Sequence, residues 1–494
     1  MTYTKPHPMV TPDDVTNIPL IIHGADVFDE TEPRTHTSIG CRFHAADLSD
    51  CQKAIQSSGQ AFQSWSRTSP LERRRLLLHL AQSMMRGSNT RQLLRHREKE
   101  IQDIIQTEIH CSEVWATQNV RDSISLIEAS ASLVTSRSMS GSIPHTEGER
   151  SFGFVFNRPM GVILGIAPWN APLVLGFRAV VAPIAMGNTA ILKGSELSPR
   201  THHFIAQLFV EAGFPPGVVN FILHRPEDAA DVVNALVTHP AVRKVNFTGS
   251  TAVGRIIAET AGRALKPVLL ELGGKNCSIV LKDADVEKAA EAILQGATLN
   301  GGQVCMSTDL AIVAADIAEA FKETLRNKVK NLRAASHKAI STRGAAKSLS
   351  LMKEAREKGA KVVSAATETQ TNGRDPQDVP VTLIEDVEPS MDFFSAESFG
   401  PLVGVVAVST VDEAIKIVNE NEYGLSCAIW TKNHHQALEL AQRIDTGAVH
   451  VNASTVHDEA TLPHGGSKTS GFGRFGAEWG LEEFVQTQTV ILNP

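Results

Sequence analysis

Beyond residue 160 the chain alternates short apolar runs with amphipathic segments, and this constrains the fold more than any other feature. The runs Val162 to Ile166, Thr189 to Leu192, Val218 to Ile222 and Lys244 to Phe247 are separated by segments such as Thr201 to Ala212 and Asp228 to Val237. The separating segments carry apolar side chains at three- and four-residue spacing, which reads as helix. Strands alternating with helices build a parallel sheet. A second series runs from Asp285 to Val451, with strands expected near Ala311 to Val313, Val403 to Val408, Cys427 to Trp430 and Ala448 to Val451. A chain of 494 residues exceeds what one core usually supports, so two α/β lobes are the simplest account. Upstream, Leu48 to Ile127 reads as helical, Ser138 to Glu147 as a Ser- and Gly-rich loop, and Arg150 to Asn157 as a hairpin or edge strand. The polar stretch Ser364 to Asp378 reads as a surface loop, and no internal repeat is visible.

Composition excludes several classes of function. The 54 acidic and 47 basic residues give a net charge of −7 without a basic run, so nucleic acid is not an expected partner. The six cysteines lie far apart without a CxxC pair, which points to thiols in a reducing compartment. Met1 to Asp14 lacks a secretory pattern and no Arg-rich transit segment is seen, so a cytoplasmic location is expected. The longest uncharged stretch, Pro159 to Phe177, contains Trp169, Asn170 and three prolines and would leave backbone groups unpaired in lipid. No membrane span and no metal site are expected.

Four segments carry chemistry. In Gly301-Gly302-Gln303-Val304-Cys305-Met306-Ser307 a cysteine follows two glycines near the end of a helical pattern. Taken alone, a single cysteine is more often a buried structural thiol than a nucleophile, since a thiol with a pKa of about 8.5 needs help to ionise. In Leu269-Leu270-Glu271-Leu272-Gly273-Gly274 a carboxylate ends an apolar strand. It is either a general base or a salt-bridged strand end. In Ala167-Pro168-Trp169-Asn170-Ala171-Pro172 an amide stands on a turn between strand and helix, where it can donate to an oxyanion or cap the helix. In Phe247-Thr248-Gly249-Ser250-Thr251-Ala252-Val253-Gly254 a strand runs into a helix N-terminus, which either holds a phosphate or is a plain capped turn. Arg255-Ile256 follows where a P-loop requires Lys-Ser/Thr, and no GxGxxG opens the first βα turn.

In chain order, Asn170, Ser250, Glu271 and Cys305 together resemble the aldehyde dehydrogenase superfamily. So do Ile191-Leu192-Lys193-Gly194-Ser195-Glu196, Glu397-Ser398-Phe399-Gly400-Pro401 and Pro463-His464-Gly465-Gly466-Ser467-Lys468. The resemblance covers nearly the whole chain from Ala45 onwards. It implies an α/β aldehyde dehydrogenase fold: a Rossmann-like NAD-binding domain over residues 1–139 and 160–272, and an α/β catalytic domain over 273–481. Residues 140–159 and 482–494 would form a small β oligomerisation element giving a homodimer or homotetramer. It also implies that Cys305 attacks the aldehyde carbon while the Asn170 amide and the Cys305 N–H hold the oxyanion. The thiohemiacetal then yields hydride to the nicotinamide, Glu271 activates the water that hydrolyses the thioester, and Glu478 relays the proton. Ile166, Trp169, Gly249 and Ser250 would border the dinucleotide, Lys193 and Glu196 the adenosine ribose, and Glu397 and Phe399 the nicotinamide. A carboxylate at the ribose 2′-hydroxyl accepts a hydrogen bond and repels a 2′-phosphate, which favours NAD over NADP.

The chain departs from the pattern in three places. Lys193-Gly194 stands for the usual Lys-Pro, and His464 for a common Phe, and neither is expected to touch the chemistry. Ala179 stands where a Lys often follows the position of Arg178. By the resemblance Ala171, Val174, Leu175, Arg178, Leu299, Val304 and Met306 line the substrate tunnel. Their modest size leaves room for a planar ring. Arg178 reads either as a donor to a phenol or carboxylate or as a structural ion pair. With Thr455-Val456-His457-Asp458-Glu459-Ala460, these residues look closest to the salicylaldehyde, benzaldehyde and vanillin dehydrogenase branch, and imply an aromatic, hydroxylated aldehyde as substrate. Three alternatives stand beside that reading: an aliphatic aldehyde or semialdehyde as substrate, a non-redox thiol esterase or acyltransferase, and an inactive homologue.

Overall fold

The computed structural model describes residues 16–28, 35–38, 41–85, 94–148, 150–332, 336–366 and 375–494. Met1 to Asp14, and most of the stretch Ser364 to Asp378, lie outside them.

Among the described residues nine α-helices precede the Cys305 loop: α1 (Leu48–Trp65), α2 (Pro70–Met85), α3 (Leu94–Ile109), α4 (Glu113–Leu133), α5 (Pro172–Ala185), α6 (Pro199–Glu211), α7 (Ala229–Thr238), α8 (Thr251–Arg263) and α9 (Val286–Thr298). Their starts follow local chemistry. Asp47 and Asp50 form a reciprocal capping box on α1, and Ser112, Ser250 and Asp285 each accept an N–H in the first turn of α4, α8 and α9.

The apolar runs become the strands of two sheets. The first has eight strands in the order Gly471–Phe472, Val268–Glu271, Val242–Thr248, Val162–Ile166, Thr189–Lys193, Val219–Ile222, Leu20–Ile22 and Ala25–Val27. Its central five are parallel, and the Val162–Ile166, Thr189–Lys193 and Val219–Ile222 strands are buried along their length, as the continuous apolar runs require. In chain order those five read 5-4-1-2-3, so the order reverses between Val162–Ile166 and Val242–Thr248. Ligands of open parallel sheets bind outside the carboxyl ends of the strands at such a reversal.

The second sheet has seven strands in the order Lys361–Ser364, Thr382–Glu385, Leu402–Val408, Thr308–Ala314, Asn276–Val280, Ser426–Trp430 and Ala448–Val451. All its pairings are parallel except that of the Lys361–Ser364 edge. Only residues 272–275 separate the last parallel strand of the first sheet from the first strand of the second, which places Glu271 at the junction. The edge strand expected at Arg150 to Asn157 and the β element expected over residues 482–494 pair as an antiparallel ribbon, Phe152–Pro159 with Val485–Leu492.

Candidate active site

Strand register assembles one wall of the site. Ile166 lies beside Lys193 and Phe247, and Thr248 beside Glu271, so four strand ends meet at the switch point. Past Ile166 the turn 168–171 leads into α5, whose first residue is Pro172. The Asn170 carbonyl accepts from Trp115 Nε1 at 2.9 Å and from Asn300 Nδ2 at 3.1 Å, and its own Nδ2 donates to the Gln303 carbonyl at 3.0 Å. The amide is thus tied to the Cys305 loop through one of its two hydrogens.

The two glycines before Cys305 have a physical cause. Asn300, Gly301 and Gly302 take φ of 50°, 65° and 73°, in the left-handed region where a side chain is strained. A Cβ at Gly302 would also lie 2.0 Å from the Gly400 carbonyl oxygen. The loop beyond is fastened by Asn276 Nδ2 to the Cys305 and Ser307 carbonyls at 2.8 and 2.9 Å, and by Thr455 Oγ1 to the Met306 carbonyl at 2.7 Å.

Glu271 faces this loop. It is 1% exposed, and both its carboxylate oxygens are buried without a hydrogen-bond partner, which is unusual outside functional sites. Burial acts to raise its pKa, but His464 and Arg178 outweigh that and hold it below the ordinary value, so the carboxylate is charged at neutral pH. Burial and the adjacent Glu271 carboxylate push the Cys305 thiol well up, with Arg178 acting the other way.

His464, expected to stand clear of the chemistry, lies beside Glu271. Its Nε2 lies 3.6 Å from Glu271 Oε1 and its Nδ1 3.6 Å from Asp458 Oδ1. Sequence reasoning also passed over Asp458 as a site residue. The signal available was a titratable ring replacing an inert one in the motif before Gly465-Gly466. Arg178 resolves towards the ion pair: its Nη2 donates to Asp458, its guanidinium lies 5.6 Å from the Phe475 ring centre, and its Nε is buried without a partner. Burial works to raise Asp458, but Arg178 and His464 hold it at about 2.

Of the other expected pocket residues, Ala171, Leu175 and Val304 are buried, and Val174, Leu299 and Met306 are half-buried. Leu299 borders a cavity of about 250 Å³ with His110, Gln303 and His337; Cys305, Glu271 and Asn170 are not among its lining residues. Glu478 stands in the first turn of the short helix Ala477–Glu482, and the groups that act most on the Glu271 carboxyl are His464, Arg178 and Cys305.

The carboxyl ends of the first sheet fit a dinucleotide. Lys193 is a buried cation whose pKa is lowered by burial, with Glu196 as the opposing charge. Ser250 caps α8, whose N-terminus opens beside Gly249, and a Cβ at Gly249 would sit 2.4 Å from the Phe247 ring, so the backbone turns closely there. Across from it the Trp169 and Phe399 rings meet edge to face at 5.9 Å. Glu397 accepts the Gly274 N–H at 3.0 Å, and burial raises its carboxyl to about 7.

With this geometry in view, the comparisons are specific. Residues 22–490 match the aldehyde dehydrogenase family, and the chain belongs to that family. It is 39% identical over 493 residues to a vanillin dehydrogenase of Pseudomonas fluorescens, covering 96% of this chain and 98% of that one. It is 38% identical over 344 residues to an NAD(+) benzaldehyde dehydrogenase of Pseudomonas putida, covering 68% of this chain and 69% of that one. The crystal structure of a salicylaldehyde dehydrogenase from Pseudomonas putida G7 complexed with salicylaldehyde superposes with a TM-score of 0.90 at 34% identity, covering 97% of this chain and 98% of that one. The chain is an aldehyde dehydrogenase with the α/β fold of that family. Among the described residues no helix is long and apolar enough to cross a membrane.

Proposed function

We propose that this enzyme oxidises an aromatic, hydroxylated aldehyde to its carboxylic acid with NAD. The observation that carries the reading is the convergence of a thiol, a carboxylate and an amide from three separate elements at the switch point. Cys305 attacks the aldehyde carbon, and its proton passes to the Glu271 carboxylate beside it. The spare Asn170 amide hydrogen and the Cys305 N–H receive the oxyanion, and one such donor is worth roughly 10²- to 10³-fold in rate. When bound, the dinucleotide supplies the hydride acceptor. Lys193 and Glu196 would hold its adenosine ribose, Ser250 and the α8 N-terminus its pyrophosphate, Ile166, Trp169 and Phe399 its nicotinamide end, and Glu397 the second ribose. Glu271 then activates water against the Cys305 thioester, releasing a free acid.

The ring preference rests on the likeness to vanillin, benzaldehyde and salicylaldehyde dehydrogenases, and on the polar cluster of Arg178, Asp458 and His464 beside Glu271. Three supports are less direct. Glu196 favours NAD over NADP, the reduced thiols of Cys51, Cys111, Cys277 and Cys427 favour the cytoplasm, and the exposed β ribbon favours a homodimer or homotetramer. The test is kcat/KM with NAD across aldehydes. Salicylaldehyde or vanillin should exceed short aliphatic aldehydes and dicarboxylate semialdehydes by at least about tenfold. The reverse order would sink the aromatic reading and leave the aldehyde dehydrogenase intact.

A further inference from the structure

A base that takes protons from a thiol and then from water must shed them before it can act again. Glu271 is buried, and the titratable ring nearest to it belongs to His464. That ring is 8% exposed, and its backbone is pinned by a reciprocal pair of hydrogen bonds with Phe475, each 2.8 Å. His464 Nε2 and both Glu271 oxygens are buried without hydrogen-bond partners, and they face one another across 3.6 Å. On the other side of the ring Asp458, itself bound by Arg178, stands 3.6 Å from Nδ1.

We propose that His464 is a positioning residue for Glu271, forming with Asp458 a carboxylate–imidazole–carboxylate relay that removes the proton Glu271 collects and restores the carboxylate between half-reactions. The proposal rests on Glu271 being the deacylating base. In deacylation a water O–H bond breaks, the oxygen bonds to the thioester carbon and the C–S bond opens, with no change of oxidation state. The water proton goes to Glu271 and then to His464 Nε2, and the ring gives up a proton from Nδ1 on the side of Asp458, whose side chain is 22% exposed, to solvent. The ring that carries the proton lies between the Glu271 and Asp458 carboxylates.

The charged and titratable groups around the ring come from every side: Glu271 at its strand end, Asp458 on the loop, Arg178 on α5, His450 on the strand Ala448–Val451, and Cys305 beyond Glu271. His450 is lowered to about 4 by burial and by His457 and His464, so it is neutral where the enzyme would work and does not compete for the proton.

A positive charge facing Glu271 favours its ionised form. Replacing His464 by a ring of similar size without nitrogen, His464→Phe, should raise the pKa of Glu271 and move the acid limb of steady-state turnover up by about one pH unit. That shift is about a tenfold loss on the acid side. The burst of NADH, near one per active site, and KM should both persist. Asp458→Asn should shift the limb in the same direction, and added imidazole should restore part of the steady rate to His464→Ala. An unmoved acid limb in His464→Phe, or equal losses in burst and steady phases, would overturn the relay. If His464→Phe fails to fold, Asp458→Asn and His464→Gln decide by the same limb. Glu271→Gln separates the two levels of the argument. A slowed burst that then stalls in that variant keeps Glu271 as base whatever His464 does, and unaltered steady turnover removes the base and the relay together.

Discussion

Burial and the Glu271 carboxylate both push the Cys305 thiol above its ordinary pKa, because each opposes a second negative charge there. The sign of the coupling can be tested without turnover. Glu271→Gln removes the charge, so the thiol pKa falls and more thiolate is present at a given pH. Alkylation of Cys305 by iodoacetamide in the protein without cofactor should then run about tenfold faster at pH 8, as one unit of pKa requires. The adduct is followed by intact mass; an unchanged rate in Glu271→Gln would separate the two groups, and a slower one would mean that Glu271 acts on the free thiol as a base and not as an opposing charge. At this scale the sequence showed Cys305, Glu271 and Asn170 as candidates because each follows a recognisable local feature: a glycine pair, a strand end, a proline-bracketed turn. It did not show Asp458 or His464. The Arg178–Asp458 pair spans 280 residues, and a contact that long leaves no local pattern to read.

Elements divide by how they are buried. The parallel strands were legible because burial on both faces makes them unbroken apolar runs. The small sheet of Thr16–Ile18, Thr35–Ser38 and Cys41–His44 escaped notice, since three- and four-residue strands carry too little period. Gly471–Phe472 escaped for another reason. It joins the first sheet antiparallel beside Val268–Glu271, and pairing across some 200 residues is set by tertiary contact alone. One helix start shows the same dependence. No side chain of its own N-cap residue satisfies the start of α6; instead Glu108, at the end of α3, accepts the Arg200 N–H at 2.6 Å and the Thr201 N–H and Oγ1 at 3.0 and 2.6 Å. Glu108 is 0% exposed. An amide in its place would turn an NH2 towards buried donors. Glu108→Gln should therefore cost about 2 kcal/mol, read as a lower urea midpoint with an unchanged slope. A midpoint equal to the parent would show that α6 starts without this carboxylate.

At the scale of the whole molecule, the two sheets bring Asn170, Glu271 and Cys305 together at their junction, and one structure stands beside them. The ribbon of Phe152–Pro159 and Val485–Leu492 has only two strands, and such a ribbon is marginal in water by itself. Its register places Phe152 opposite Leu492 and Phe154 opposite Val490, so these four side chains and Phe156 lie on one face. Phe152 and Leu492 are 63% and 54% exposed in the single chain. An exposed apolar face is stabilised when another copy covers it. Light scattering on the purified enzyme should then give two or four times the mass of one chain. Phe152→Asp with Leu492→Asp should lower that mass while far-UV circular dichroism stays unchanged, because the pair sits far from the cores of both sheets. A parent protein that scatters as a single chain, or a double variant that keeps its mass, would mean that this face does not join copies and that the ribbon is held by its own chain alone.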